Sequence, residues 1–205
     1  MSHTFELPIA ELKAVALFAG KQDIRSYLNG VLITSDHGKV VAVATDGHRL
    51  TAFKSEVDYS GPEFIVPVEN VTALKATQRI RCVEVTYDAE TRMVKLVTGE
   101  TAQICQAIDA QYLYWRRAIP ALEQLSGKLA DNCGFNAVYL SDYAKLRKLL
   151  GHSSTSIAIK PNESSAARIS IDDSRFVCVL MPMRDSFRPS WFDEQETTAK
   201  EKVAA

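Results

Sequence analysis

One order of elements recurs three times along this chain: a strand, a helix, then three strands, with a period of roughly 60 residues. A repeat of that kind admits few folds, because each copy must bury one helix stripe and one sheet face against its neighbours. The recurrence is in order rather than in letters. The first copy starts with a short strand at 5–7, and Pro8 suits the first turn of a helix, where its missing N–H costs nothing. An Ala- and Leu-rich helix at 10–19 follows, stopped by Gly20. Residues 27–54 then read as three strands, parted by the turns Asp36-His37-Gly38 and Asp46-Gly47. Asp-Gly between apolar runs is a hairpin signal, since the turn needs positive φ.

Gly61-Pro62 opens the second copy. A strand at 64–66 precedes a helix capped by Asn70, carrying Val71 and Leu74 on one face and Lys75 and Arg79 elsewhere. Strands are expected at 82–87, 93–98 and 103–108. Residues 121–134 are a mixed connector. The third copy has a strand at 135–140, a helix capped by Ser141 or Asp142 with a Tyr143, Leu146, Leu149, Leu150 stripe, and strands at 156–160, 167–171 and 175–181. The expected layout is a complete two-unit domain at 1–120 (units 1–60 and 61–120), a connector at 121–134, a half domain at 135–184, and a disordered tail at 185–205 with Trp191-Phe192 as its apolar pair. The fold class is α+β, with helices on one face of antiparallel sheets.

Composition narrows the function. The 46% hydrophobic and 24% charged content is that of an ordinary globular chain with a core large enough to stand without staples. Cys82, Cys105, Cys133 and Cys178 form no C-x-x-C pair, which argues against a metal site or disulfide framework; Cys82, Cys105 and Cys178 read as small buried apolar residues. No apolar run is long enough to span a bilayer and no leader is evident, so a cytoplasmic protein with no membrane contact is expected. The net charge of −1 excludes a chain that is basic all over but not a local basic face. Asp46 and His48 could do acid–base work, but no nucleophile, metal motif or nucleotide loop accompanies them. No catalytic residue, metal ligand or cofactor is expected, and the chain reads as a non-enzyme.

Three segments carry a resemblance. YLNG…VATDGHRL at 27–50, DAQYLYWRRAIP at 109–120 and FVCVLMPMR at 176–184 fall in the order found in the bacterial sliding clamps, the β subunit of DNA polymerase III. The chain resembles a shortened member, with the second domain and the last half of the third. The resemblance implies the DNA-clamp fold and a sequence-independent hold on double-stranded DNA. It also implies a pocket for short peptide motifs of DNA polymerase and other replication proteins. Carried over by position, that pocket would use Leu28, Thr45, Gly47, His48, Arg49 and Leu50, then Ile119 and Pro120, then Val179, Met181, Pro182, Met183 and Arg184. DNA contacts would come from Lys13, Gln22, Arg25, Tyr27, Lys75, Arg79, Lys145, Arg147 and Lys148. Residues 124–129, QLSGKL, loosely resemble the family's own partner motif.

A six-domain ring holds twelve units and this chain supplies three, so a homo-oligomer is expected, with a tetramer ahead of a dimer. The alternative is a non-ring adaptor that uses the same pocket to compete for clamp partners.

Overall fold

The structure is a computed structural model describing residues 2–184. The chain runs β1 (Ser2–Pro8), α1 (Ile9–Ala16), β2 (Gly30–Asp36), β3 (Lys39–Thr45) and β4 (Arg49–Asp58). The second unit is β5 (Phe64–Pro67), α2 (Val68–Thr72), β6 (Cys82–Asp88), β7 (Met93–Thr98) and β8 (Thr101–Gln106). The third is β9 (Cys133–Gly134), α3 (Ala137–Leu149), β10 (Ala158–Asn162), β11 (Ser165–Ser170) and β12 (Phe176–Leu180), followed by β13 (Met183–Arg184). The threefold order of strand, helix and three strands is present.

All pairing between the named strands is antiparallel. A four-stranded sheet runs β1-β6-β7-β8 and a seven-stranded sheet runs β10-β11-β12-β4-β3-β2-β5. The first strand of each of the first two units crosses to the other: β1 pairs with β6, and β5 pairs with β2. This exchange welds units one and two. The third unit joins them through β12 on β4, with Val179 opposite Leu50 and Leu180 opposite Arg49.

Alternation along the strands divides the burial. Phe53, Phe176, Cys178, Val31, Ile33, Val83 and Val85 face a layer of helices in which α1 packs against both α2 and α3. The other face of the large sheet carries Leu32, Val43, Leu50, Ala52 and Val179. A segment after β8 lies across it and seats Tyr112 and Trp115 there. Strands buried on both faces read as near-continuous apolar runs, as in 39–45.

Several local expectations are corrected. The third helix starts at Ala137, so 135–140 is not a strand. Asn136 is the cap, its side chain accepting from the Val138 amide at 2.9 Å. Ser141 instead bonds the Val138 carbonyl, and Asp142 is engaged in an ion pair. The second helix spans only Val68–Thr72 and contains Asn70 rather than being capped by it. Lys75 and Arg79 lie beyond it in a loop where the Thr77 hydroxyl accepts from the Ile80 amide, a local bond that competes with helix. Cys82 is exposed; all four cysteines are free thiols. The tail at 185–205, with Trp191 and Phe192, lies outside the described residues.

Candidate functional site

The Asp46-Gly47 turn is built by its own side chains. Asp46 accepts from the His48 amide at 2.9 Å and the Arg49 amide at 3.1 Å. Thr45 donates to the Arg49 carbonyl at 2.7 Å and accepts from the Gly47 amide at 3.0 Å. Gly47 sits at φ +90°, a left-handed conformation that side-chain-bearing residues avoid. A Cβ there would meet the Arg25 guanidinium only at ordinary contact distance, 3.4 Å, so backbone conformation rather than space favours glycine.

Arg49 fixes this turn to the helix layer. It is buried, 8% exposed, and donates to Asp46 at 2.9 Å, Asp142 at 2.5 Å and the Leu17 carbonyl at 3.2 Å. Its guanidinium lies over the rings of Phe18 and Tyr139, at 5.0 and 4.5 Å. Burial works against the Asp142 carboxylate, but Lys145 and Arg49 outweigh it and hold its pKa below the usual carboxylate range. One charged chain thus links the turn, through Arg49 and Asp142, to Lys145 on α3.

The C-terminal strand closes on the same turn. The Met181 amide donates to the His48 carbonyl at 2.8 Å, and the Tyr143 hydroxyl holds the Val179 carbonyl at 2.7 Å. Between them opens a groove of about 520 Å³. Of the residues expected there, Thr45, Gly47, His48, Arg49, Leu50, Ile119, Pro120, Val179 and Met181 line it. Leu28 does not: it is fully buried beneath Gly20. Pro182, Met183 and Arg184 run past the groove, the last two pairing with β9 as a two-stranded sheet.

The groove has walls that the sequence did not announce. Arg117 and Ala118 come from the crossing segment, where Arg168 holds the Pro120 carbonyl at 3.2 Å. Asn162, Ser164, Ser165 and Ala166 come from the tip of the β10–β11 hairpin. Which turn closes a groove is set by pairing across the sheet, and no local pattern marks it. Gln124 of the QLSGKL stretch also lines the groove, while Leu125 is buried and 127–128 bond the β10–β11 turn.

The residues expected to face DNA are less uniform. Lys145, 61% exposed, and Lys148 stand on the outer side of α3. Arg147 does not join them. It is buried, and its guanidinium donates to the Ser154 carbonyl at 2.8 Å and to the Ile171 carbonyl, so it ties the helix end to the following loop. Lys13 is half-buried, its ammonium donating to the Leu74 carbonyl at 2.9 Å. Lys75 and Arg79 are exposed. Gln22 sits at φ +55° in an exposed loop, and Arg25 there is bonded to Asp23 at 2.8 and 2.9 Å, which lowers the Asp23 pKa to about 2. Tyr27 packs edge-on against Tyr112.

Residues 7–113 match the family model for the DNA polymerase III beta subunit, central domain, which is more than half of the chain. The chain belongs to the bacterial sliding-clamp family. The beta sliding clamp of Escherichia coli K12 is 28% identical over 122 residues, covering 57% of this chain and 33% of that protein. That of Pseudomonas aeruginosa is 28% identical over 103 residues, covering 49% and 28%. The chain thus matches about a third of the length of these relatives. Among solved structures, the Pseudomonas aeruginosa sliding clamp with ligand superposes with a TM-score of 0.67 at 18% identity, over 88% of this chain and 66% of that one. The Thermotoga maritima beta subunit gives 0.64 at 18%, over 89% and 66%. At such identities these likenesses speak to fold, and the fold is that of a DNA clamp.

Proposed function

We propose that this protein is a shortened sliding clamp, a processivity factor that encircles or rides on duplex DNA and holds replication proteins by short peptide motifs. The observation that carries this is the groove where the Thr45–Leu50 turn and the Val179–Met181 strand end meet. Leu50, Val179, Ile119 and Met181 form an apolar floor and wall, and Met181 is flexible enough to fit several ligands. Arg117 and His48 add polar contacts on its rim. An extended peptide with Leu and Phe anchors suits such a site, where a few anchors supply most of the affinity.

Lys145 and Lys148, with the loop cations Lys75 and Arg79, form the DNA side. Such contacts read no sequence and weaken with salt, which suits a ring that must slide. No covalent chemistry is assigned to the site. Residues 1–120 form one clamp domain and 135–184 half of another in this reading, so four chains complete a six-domain ring. DNA polymerase and other replication proteins are the peptide-bearing partners.

Retention on circular DNA, lost when the DNA is linearised, is the expected behaviour of a ring. Equal retention on both, with peptide binding intact, would instead support the adaptor that competes for clamp partners.

A further inference from the structure

The first two units show how a unit of this fold is completed. Each gives its first strand to the second strand of the other, β5 to β2 and β1 to β6. The inward residues of those second strands are sealed as a result: Val31 and Val83 are 0% exposed, Ile33 and Val85 1%. Among the described residues the third unit has no such neighbour in its own chain. The matching strand is β10, and its inward residue Ile159, which pairs with Ile169 as part of the same face, is 36% exposed. Ile157 and Leu140 beside it are only half-buried.

The backbone tells the same story. The connector caps the far end of the β10 edge, where the Gly127 amide donates to the Pro161 carbonyl at 3.0 Å and the Glu163 amide to the Lys128 carbonyl at 2.7 Å. Among the described residues no further backbone bond from the connector reaches 157–160, where the Lys160 ammonium donates to the Leu122 carbonyl at 3.1 Å. The first strand of the third unit, Cys133–Gly134, is paired among the described residues on one edge only, by Met183–Arg184.

We propose that two copies of this chain join through their third units about a two-fold axis, in the manner in which units one and two join within a chain. The third unit carries both halves of the needed contact, a first strand with a free edge and a second strand lacking its neighbour. A two-fold pair satisfies both at once, whereas a head-to-tail pair leaves one of each unused until further copies close a ring. The register follows from the internal template. Pro67, the residue before α2, faces Gly30 at the start of β2. Asn136, the residue before α3, would then face the start of the partner's β10, covering Ile157 and Ile159. The pair holds three complete domains, half of a six-domain ring. The interface itself stands on the fold and survives even if the groove binds no peptide.

The test is the mass of the full chain by light scattering over a micromolar concentration series, with Ile159→Glu and, as control, Ile104→Glu. Ile104 is exposed on β8, the edge of the other sheet; at concentrations low enough for the parent to be a single chain, both variants should keep its thermal transition, which separates lost pairing from lost folding. Twice the chain mass or a multiple of it is expected for the parent and Ile104→Glu, and a dissociation constant raised roughly tenfold or more for Ile159→Glu. Amide exchange at 157–160 should slow as the parent's concentration rises and not in Ile159→Glu. A single-chain mass throughout overturns the proposal. So does a pair that survives Ile159→Glu, or one broken by Ile104→Glu instead.

Discussion

Arg49→Met removes the side chain that pins the groove turn to the helix layer. The loss can be worked from the contacts. Arg49 gives up ion pairs to Asp46 and Asp142, a bond to the Leu17 carbonyl, and two ring contacts. Met keeps most of the apolar stem in place, so little packing is lost. Asp46 retains two backbone amides, but the buried Asp142 keeps only Lys145 among charged partners. Breaking a buried pair costs about 3–5 kcal/mol, and the surviving Lys145 contact places this case near the lower end, about 3 kcal/mol at neutral pH. The pH dependence has a definite sign. The Asp142 pKa is depressed in the folded state, so its contribution is present above the ordinary carboxylate value of about 4 and is lost as pH falls through the lower folded value. The gap between parent and variant should therefore be widest near neutrality and narrow in acid. Urea unfolding at neutral and acid pH measures it. A gap under about 1 kcal/mol at neutral pH, or one of equal size in acid, would refute the reasoning, since neither fits a buried pair.

Other expectations concern the groove, the basic face and one close approach. Met181→Ala or Ile119→Ala should weaken a Leu/Phe peptide by about 1–3 kcal/mol in fluorescence anisotropy, and the exposed Met181 should do so without moving the melting temperature; parent-like affinity for both misplaces the groove. Leu50→Ala is a poorer probe, because Leu50 is buried and its loss costs about 2–5 kcal/mol of stability as well. Lys145→Glu with Lys148→Glu should lower the salt slope of DNA association by about two. An unchanged slope assigns these lysines to solvent. Gly30→Ala should destabilise by about 1–3 kcal/mol, because its Cβ would sit 2.5 Å from Ile65 Cγ2 and 2.7 Å from the Val66 carbonyl oxygen. A neutral result in thermal denaturation contradicts that packing.

Much of the fold can be read locally. Apolar runs parted by Asp36-His37-Gly38 and Asp46-Gly47 specify β2, β3 and β4, because turn residues and strand period are properties of a few neighbours. Helix ends are harder. Asn136, not Ser141 or Asp142, caps the third helix, while Ser141 bonds the Val138 carbonyl and Asp142 is drawn to Arg49, a residue 93 positions away. The charged residues mislead most. Arg147 sits among Lys145 and Lys148 in the sequence, yet the loop at 151–156 folds back and takes its guanidinium inward. Arg49 reads as a polar group at a strand edge and is the most heavily contacted cation at the site. The groove is legible in part through the family resemblance, which places Thr45–Leu50 and Val179–Met181 together. Its far wall from the tip of the β10–β11 hairpin depends on sheet pairing alone.

The claim on which the proposed function depends is that this groove receives a partner's peptide. Backbone amide shifts of the labelled protein, titrated with a Leu/Phe-anchored peptide, test it most directly. Saturable shifts centred on Gly47, His48, Ile119, Val179 and Met181 are the predicted result. Shifts clustered away from those residues, or none at millimolar peptide, would contradict it.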